Sequence, residues 1–271
     1  MYIDLSKYNR VVDWEAVSKN VEGIILRVGY RGYGSGKIVL DPMFETYAKA
    51  CYNYRIPFGL YFMSQAITPI EAIEEADFAL NFAEKYNATL PIFIDSEDGD
   101  GTAKIVRADI LNKSDRTDIC DFFCKTISDC RHKTGVYAST DWFVNKLDNT
   151  RLNDYLFWVA QYGPECKAKH RVDMWQYTSK GTVPGINGHV DCNMLYGFPN
   201  SNYKPVERNL RKGDVGPDVK VLQNALNLKY NAGLKVDGYF GQKTYDAVVK
   251  MQKSNGIKVD GIVGKQSRMY L

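Results

Sequence analysis

The sequence predicts an α/β protein, namely an irregular β/α barrel with fewer helices than strands, joined to a small all-α domain of three helices. Over the first two hundred residues, short apolar runs alternate with longer segments of helical periodicity, which is typical of strands covered by helices. A stretch rich in Pro, Asn and Ser then interrupts this pattern. After it, a motif of the form K-V-D-G-x-x-G occurs twice, displaced by 23 residues.

The predicted strands are apolar runs bounded by turn-forming residues. In chain order they include "VEGIILRVGY", "IPFGLYFMS", "LPIFID", "GVYAS", "LFWVAQY", "VDMWQYTS" and "HVDCN". Alternation with helices favours parallel pairing of these strands. Because the last strands follow one another without good helices between them, an irregular β/α barrel is the simplest closed arrangement. A doubly wound open sheet is the alternative.

Three segments of the first part have helical periodicity. "DPMFETYAKACYNY" begins with Asp41 as the predicted N-cap and Pro42 at the first helical position. "TPIEAIEEADFALNFAEKYN" has Thr68 as N-cap and Glu71 three residues later, as in a capping box. "KSDRTDICDFFCKTISDCRHKT" is the third predicted helix. These helices are expected to cover the outside of the barrel.

The chain is expected to contain two domains, residues 1–199 and residues 207–271, joined by a linker at 200–206. In the second domain, "GDVGPDVKVLQNALNLKY" and "YDAVVKMQKSNG" have apolar residues at helical spacing, and Gly256 is the predicted C-cap of the latter. The repeated Asp-Gly turns are expected to form compact corners between helices. About 65 residues are enough for a minimal domain with a small core.

Charge is distributed unevenly along the chain. The formal net charge is +3, which indicates no general partnership with nucleic acid. Residues 207–271 carry 12 Lys and Arg against 6 Asp and Glu, whereas the rest of the chain carries 23 against 26. A basic second domain suggests contact with an anionic material, although a merely soluble basic surface explains the charge equally well.

No membrane association is expected, because no apolar run approaches the roughly 20 residues that span a bilayer. The start, "MYIDLSKYNR", lacks a signal-peptide pattern, so the chain is either made without Sec export or has lost its signal. The six cysteines are Cys51, Cys120, Cys124, Cys130, Cys166 and Cys192. Without a CxxC pair among them, they are interpreted as reduced packing residues in a reducing compartment.

Asp95 and Glu97 are the strongest candidates for catalysis. They follow the buried run "LPIFID", at the carboxyl end of a strand, where barrel enzymes carry their active sites. Two residues apart on a strand, their side chains point to the same face, with Cβ atoms roughly 6.6 Å apart. Glycosidases use two carboxyl groups about 5 to 9.5 Å apart. The alternative is that Asp95 caps a loop and Glu97 is solvated. The next acids, Asp98 and Asp100, are interpreted as loop residues.

Two further acids lie at corresponding positions. Asp4 ends the first apolar run, and Asp191 lies in the last strand-like segment. Because a barrel brings its first and last strands together, both side chains could flank the central pair. Each acid alone would more simply be a turn-forming residue.

Aromatic and glutamine side chains at or near strand ends complete a possible sugar site. Rings stack on the apolar faces of sugars, and amides bind hydroxyl groups. The predicted substrate-binding residues are Tyr61, Tyr137, Trp158, Gln161, Trp175 and Gln176. Phe62, Tyr162 and Tyr177 lie nearby. Core packing is the alternative for any single ring.

Other chemistries are disfavoured. The three histidines are scattered and form no metal-ligand spacing, and "DSEDGDG" lacks the order of an EF-hand loop. "RGYGSG" is not followed by a helix that could hold phosphate. We therefore expect neither a metal nor a cofactor.

Several segments together resemble the glycoside hydrolase family 25 lysozymes over the first 199 residues or so. They are "IDLSKYN", "ILRVGYRGYGSGKIVLDPMFETYAKA", "IPFGLYFMSQA", "PIFIDSED", "GVYAST", "WVAQYG" and "MWQYTSKGTVPGINGHVDCN". The resemblance implies cleavage of the β-1,4 bond between N-acetylmuramic acid and N-acetylglucosamine in the bacterial cell wall. It also implies that Glu97 is the proton donor, Asp95 its partner carboxylate, and Asp4 and Asp191 the other two active-site acids.

Residues 207–271 resemble a peptidoglycan-binding domain of three-helix type, through "LRKGDVGPDVKVLQNAL", "VDGYFGQKTYDAVVKMQ" and "VDGIVGKQS". The resemblance implies that peptidoglycan is both substrate and anchor. The combination looks like a phage endolysin that accumulates in the host cytoplasm and reaches the wall at lysis. A bacterial autolysin, a barrel that binds the wall without catalysis, and an amidase or peptidase are the alternatives.

Overall fold

The computed structural model describes residues 1–98, 106–196, 209–268 and 270–271. The chain divides into two compact units, and the boundary falls between residues 203 and 204. The predicted linker at 200–206 therefore lies outside the described residues, as do the predicted domain limits at 199 and 207.

The strands all belong to the first unit. In chain order they are β1 (Tyr2–Leu5), β2 (Arg10–Val11), β3 (Gly23–Arg31), β4 (Ile38–Leu40), β5 (Phe58–Met63), β6 (Ile92–Asp95), β7 (Thr134–Ser139), β8 (Leu156–Ala160), β9 (Met174–Gly181), β10 (Ile186–Asn187) and β11 (Val190–Leu195). The helices of this unit are α1 (Trp14–Asn20), α2 (Phe44–Asn53), α3 (Pro69–Tyr86), α4 (Lys113–Asp129) and α5 (Thr140–Asn145). A 3₁₀ turn spans Arg107–Ile110.

Eight of these strands close into a barrel in the order β1-β11-β9-β8-β7-β6-β5-β3, and pairing of β1 with β3 completes the ring. The neighbours are parallel except for β11, which runs antiparallel to both β9 and β1. In the described part of the chain, no helix separates β8 from β9 or β9 from β11. The predicted irregular barrel is thus confirmed, and the open sheet is excluded.

The alternation of side chains along the strands divides the barrel into two cores. Residues that face outward pack against the helices, as Ile92 and Ile94 of β6 do. Residues that face inward form a separate cluster, which includes Phe93 and Trp158. Polar residues replace this inner cluster at the carboxyl ends of the strands, where Asp95 follows Phe93 on the same face. The barrel interior therefore ends in a polar layer.

The reversed direction of β11 brings its first residues to the carboxyl ends of the parallel strands. Asp191, the second residue of β11, pairs in register with Asp4 of β1. In a fully parallel barrel, the start of the last strand would lie at the opposite end. The antiparallel strand is therefore the reason why Asp191 and Asp4 meet.

Two N-caps were predicted in the first unit, and the structure agrees with one of them. The predicted Thr68 cap of α3 is confirmed, since its Oγ1 accepts a hydrogen bond from the Glu71 backbone N–H. The predicted Asp41 cap of α2 is wrong, because α2 begins at Phe44. The Asp41 carboxylate is instead buried and accepts a hydrogen bond from Arg27 Nε at 2.7 Å. Oδ2 of Asp41 thus belongs to a long-range ion pair, while Oδ1 accepts from the Met43 backbone N–H at 2.9 Å, just before α2.

The second unit consists of α6 (Pro217–Tyr230), α7 (Gln242–Ser254) and α8 (Lys265–Arg268) in its described part, which agrees with the expected three helices. A buried glutamine explains each repeated Asp-Gly turn. Gln223 Oε1 accepts from the Gly238 backbone N–H at 2.9 Å, and Gln252 Oε1 accepts from that of Gly261 at the same distance. Both glycines have positive φ, 74° and 68°. The repeat therefore has a structural cause.

All six cysteines are free thiols, and four of them are buried, as expected for packing residues. None of the helices in the described ranges combines the length and apolarity that a membrane-spanning segment requires.

Candidate active site

A cleft of about 200 Å³ opens at the carboxyl ends of the barrel strands. Its lining comprises Asp4, Tyr61, Asp95, Glu97, Tyr137, Trp158, Tyr162, Gln176 and Asp191. The structure thus brings together the four acids that the sequence singled out, although they are up to 187 residues apart in the chain.

Asp95 and Glu97 share one face because the chain stays extended at the end of β6. Asp95 is the last residue of the strand and lies in register with Tyr137 of β7. The Ser96 backbone N–H still donates to the carbonyl oxygen of Tyr137 at 3.0 Å, which continues the ladder by one residue. Ser96 itself points away from the cleft toward Cys120 of α4. The predicted same-face arrangement of the pair is therefore found.

Amide side chains hold the Asp4 carboxylate. Its Oδ2 accepts hydrogen bonds from Gln176 Nε2 at 3.0 Å and from Asn193 Nδ2 at 2.9 Å. Asn193 is oriented in turn by Trp158 Nε1, which donates to its Oδ1 at 2.8 Å. Both donors to Asp4 use the same oxygen. The other oxygen is therefore left to face the cleft.

Gln176 links this carboxylate to two tyrosines. Its Oε1 accepts hydrogen bonds from the hydroxyl groups of Tyr137 at 2.9 Å and Tyr162 at 3.2 Å. Since both tyrosines donate to the oxygen, the nitrogen of the amide must face Asp4. Gln176 thus orients three groups that line the cleft.

Burial and mutual repulsion keep protons on the acids. Burial, together with the carboxylates of Asp191 and Asp98, raises the pKa of Glu97 to about 7. Burial and the Asp191 carboxylate raise the pKa of Asp4 to about 7. The pKa of Asp95 is raised well above its usual range, first by burial and then by Glu97. Neighbouring carboxylates cannot all ionise together, so the cluster contains both acid and base forms near neutral pH.

A second cavity of about 380 Å³ shares Tyr61, Asp95 and Glu97 with the first. Its other lining residues are Lys7, Tyr8, Arg27, Tyr30, Tyr33 and Met63. Reasoning from single residues did not identify these six as site residues. The signal that could have found them is their position in segments that carry the family resemblance: Lys7 and Tyr8 lie in "IDLSKYN", Met63 lies in "IPFGLYFMSQA", and the other three lie in "LRVGYRGYG".

Two of the predicted sugar-binding residues, Gln161 and Trp175, are absent from the lining of both cavities. Trp175 precedes Gln176 on β9, so when Gln176 faces the barrel interior Trp175 faces outward. There its Nε1 donates to the backbone oxygen of Gln161, and its ring stacks on Tyr196 with centroids 6.5 Å apart. Tyr162 takes a place in the cleft instead. Asp98 is exposed, and Asp100 lies outside the described residues.

Replacing Gln176 with leucine is expected to reduce turnover of the substrate and to lower the free energy of unfolding by about 1 to 3 kcal/mol. The substitution leaves the buried Tyr137 hydroxyl without its acceptor and removes one of the two amide donors to Asp4. Steady-state kinetics and chemical denaturation measure the two effects. The matched control is Gln161→Leu, which is expected to keep its activity because Gln161 lies outside the cleft. Equal losses of activity in both variants would contradict the assignment of Gln176, and not Gln161, to the cleft.

In the residues that the structure describes, no group of three or more His, Cys, Asp and Glu side chains is arranged to hold a metal ion.

Residues 3–186 match the glycosyl hydrolases family 25, and this match covers more than half of the chain. The chain belongs to glycosyl hydrolases family 25. Residues 215–268, within the second unit, match a second family, the putative peptidoglycan binding domain. Both predicted resemblances are thereby confirmed.

Individual relatives agree with the family. The autolytic lysozyme of Clostridium acetobutylicum is 31% identical over 129 residues, which are 46% of this chain and 38% of that protein. The modular autolysin LytC from Streptococcus pneumoniae has a TM-score of 0.61 at 25% identity, over 72% of this chain and 46% of that chain. The catalytic domain of endolysin ply40, from bacteriophage P40 of Listeria monocytogenes, has a TM-score of 0.57 at 25% identity. The match covers 72% of this chain and 91% of that chain. The chain therefore spans less than half the length of the first two.

Proposed function

We propose that the first unit is a muramidase, which hydrolyses the β-1,4 bond between N-acetylmuramic acid and N-acetylglucosamine in bacterial peptidoglycan. The observation that carries the proposal is the pairing of Asp95 and Glu97 in a cleft with Asp4 and Asp191, within a family 25 fold. The Clostridium acetobutylicum relative is an autolytic lysozyme, which supports the same activity.

In the proposed reaction, Glu97 donates a proton to the glycosidic oxygen as the bond breaks. Its pKa of about 7 leaves a substantial fraction protonated at neutral pH and makes it an effective donor there. The carboxylate that remains can then accept a proton from the water that completes hydrolysis. Activity should accordingly fall as the pH rises through about 7.

Asp95 is assigned as the partner carboxylate, which acts in its ionised form although burial and Glu97 raise its pKa. It either attacks the anomeric carbon directly or orients and charge-stabilises the substrate's N-acetyl group, whose oxygen then attacks. Both routes require Asp95 to be ionised and close to the reacting carbon. Asp4 and Asp191 are assigned as acids that hold the substrate and maintain the charge of the cleft.

Digestion of purified peptidoglycan tests the activity. We expect new reducing ends without new free amines. Release of amines would indicate an amidase or a peptidase instead. Release of neither product, with wall binding intact, would indicate a barrel that binds the wall without catalysis.

The second unit is proposed to anchor the enzyme on peptidoglycan. Its match to the putative peptidoglycan binding domain and its excess of basic residues support this role. A tethered binding unit raises the local concentration of substrate at the catalytic cleft. Residues 207–271 alone are expected to co-sediment with purified cell walls, and less so at high salt if their charge contributes. Failure to bind any wall tested, while a folded state is retained, would refute the anchor.

We infer further that the enzyme is a phage endolysin, held in the host cytoplasm until lysis. The similarity to endolysin ply40 supports this role, whereas the similarity to the autolytic lysozyme supports a bacterial autolysin as the second candidate. Cytoplasmic expression in a susceptible bacterium distinguishes them. An endolysin lyses the cells only after their membrane is permeabilised, while an exported autolysin releases wall fragments from cells with intact membranes.

A further inference from the structure

Arg27 of β3 is a buried cation beside the proposed catalytic pair. It is 7% exposed and lines the second cavity together with Asp95 and Glu97. On one side, its Nε donates to Asp41 Oδ2 at 2.7 Å, and the side chain of Asp41 is fully buried. Because a guanidinium is costly to remove from water, a buried one at a cleft requires compensation by specific partners.

Asp41 binds the guanidinium of Arg27 only at Nε and so compensates its burial only in part. Arg27 Nη2 has no hydrogen-bond partner among the described residues, and neither has Asp95 Oδ1. The rings of Tyr8 and Tyr30 lie 5.1 Å and 5.7 Å from the guanidinium carbon. Such rings hold a cation in place without neutralising it. Part of the Arg27 charge is therefore available to act on the carboxyl groups of the same cavity.

Asp95 is surrounded by titratable groups from several strands. They are Asp4 from β1, Arg27 from β3, Tyr61 from β5, Glu97 from the segment after β6, and Tyr137 from β7. Burial raises the pKa of both tyrosines well above the usual range, so their hydroxyl groups stay neutral. Arg27 is thus the cation of this set, and it opposes the two carboxyl groups. Lys7 also lines the cavity, but its Nζ lies over the rings of Tyr8 and Tyr30, 5.1 Å and 5.4 Å from their centroids.

Glu97 has different neighbours. The charges that act on it belong to the carboxylates of Asp191 and Asp98. The Tyr137 and Tyr162 hydroxyl groups are also close enough to interact with it. The guanidinium of Arg27 therefore offsets part of the rise in the pKa of Asp95, whereas the carboxylates beside Glu97 add to the rise in its pKa.

We propose that Arg27 is a positioning residue for the pair, whose guanidinium opposes the effect of burial on Asp95 and favours the ionised form of that carboxyl group. The proposal rests on the proposed muramidase function and adds to it a residue outside the four acids. Asp95 is 4% exposed and Glu97 is half-buried, so burial by itself favours the protonated form of Asp95 more than that of Glu97. Arg27 supplies an electrostatic difference between them.

The pH dependence of kcat/KM tests this role. In Arg27→Gln the acid limb of the profile is expected to move upward by about one pH unit, because Asp95 without the cation binds a proton at higher pH. At pH values below the midpoint of the acid limb, kcat/KM of Arg27→Gln is then about tenfold lower than that of the wild type. Arg27→Lys keeps a positive charge, so its acid limb is expected to lie close to that of the wild type. An unmoved acid limb in a folded Arg27→Gln protein would overturn the proposal.

Arg31 provides a matched control. It lies on the same strand, is buried, and donates from its Nε to Glu75 Oε1 at 2.7 Å, but it lines neither cavity. Arg31→Gln should leave the acid limb in place, and an equal shift there would count against a specific role for Arg27. If Arg27→Gln does not fold, the double variant Arg27→Gln/Asp41→Asn replaces it, since it leaves no unpaired buried charge.

An NMR titration of Asp95 does not require enzyme activity, so it tests the role of Arg27 independently of the proposed muramidase function. With ¹³C-carboxyl-labelled aspartate, the resonance absent from Asp95→Asn identifies Asp95 in the NMR spectrum. The midpoint of the Asp95 titration is expected to rise by about one pH unit in Arg27→Gln. If the wild type releases no reducing ends, the muramidase assignment fails while the titration still decides the role of Arg27. An unchanged midpoint overturns the role of Arg27 alone.

Discussion

Replacing Glu97 with glutamine is expected to lower kcat on peptidoglycan by roughly 10²- to 10⁴-fold, with the fold retained. The amide has the size of the carboxyl group but no proton acidic enough to transfer to the glycosidic oxygen. The Glu97 side chain lines the cleft and is oriented by the extended chain after β6, so substitution should not displace its neighbours. The release of reducing ends from purified walls measures the effect, and circular dichroism checks the fold.

Asp98→Asn is the matched control for this variant. Asp98 is the next acid in the chain, but it is exposed, and the cleft is lined without it. We expect Asp98→Asn to keep most of the activity. Full activity in Glu97→Gln, or equal losses in the two variants, would contradict the assignment of Glu97 as the proton donor.

Replacing Asp95 with asparagine is expected to reduce kcat by roughly 10²- to 10³-fold, since it removes the negative charge that faces the developing positive charge of the substrate. Asp95 is 4% exposed, so solvent does not replace that charge readily. Release of reducing ends by the variant, measured near neutral pH, tests the expectation. Activity close to that of the wild type would rule out Asp95 as the catalytic anion.

The same assay distinguishes the two routes open to Asp95. Walls whose muramic acid lacks the N-acetyl group should resist the wild-type enzyme if that group is the internal nucleophile. They should be cleaved if Asp95 attacks the sugar directly. In both cases Asp95→Asn remains impaired, so the choice of route does not depend on the assignment of Asp95.

Local patterns predicted the parts of the site that depend on one strand. The apolar run that ends in Asp95 predicted a buried strand, and the period of two predicted that Asp95 and Glu97 share a face. Thr68 was likewise identified as a cap from its spacing to Glu71. Such features depend on residues a few positions apart, and short-range geometry determines them.

Features that depend on distant residues were predicted less well. Gln176 and Trp175 are neighbours on a strand whose two faces are both covered, so nothing in their local sequence indicates which one faces the barrel interior. Asp41 has the spacing of a cap, yet α2 begins three residues later and Asp41 Oδ2 pairs with Arg27 on another element. In both cases tertiary packing overrides the local preference.

Periodicity and motif spacing are properties of short segments, and they were enough to predict the alternation of strands and helices and to select four acids as candidates for the site. Which of these residues lie together in one cleft depends on the folded chain. The reversal of β11 sets Asp191 opposite Asp4, the closed barrel places Arg27 beside Asp95, and burial raises the pKa of the acids. These results require groups from distant parts of the chain to share one buried space, where charges interact strongly, and no local pattern contains that information.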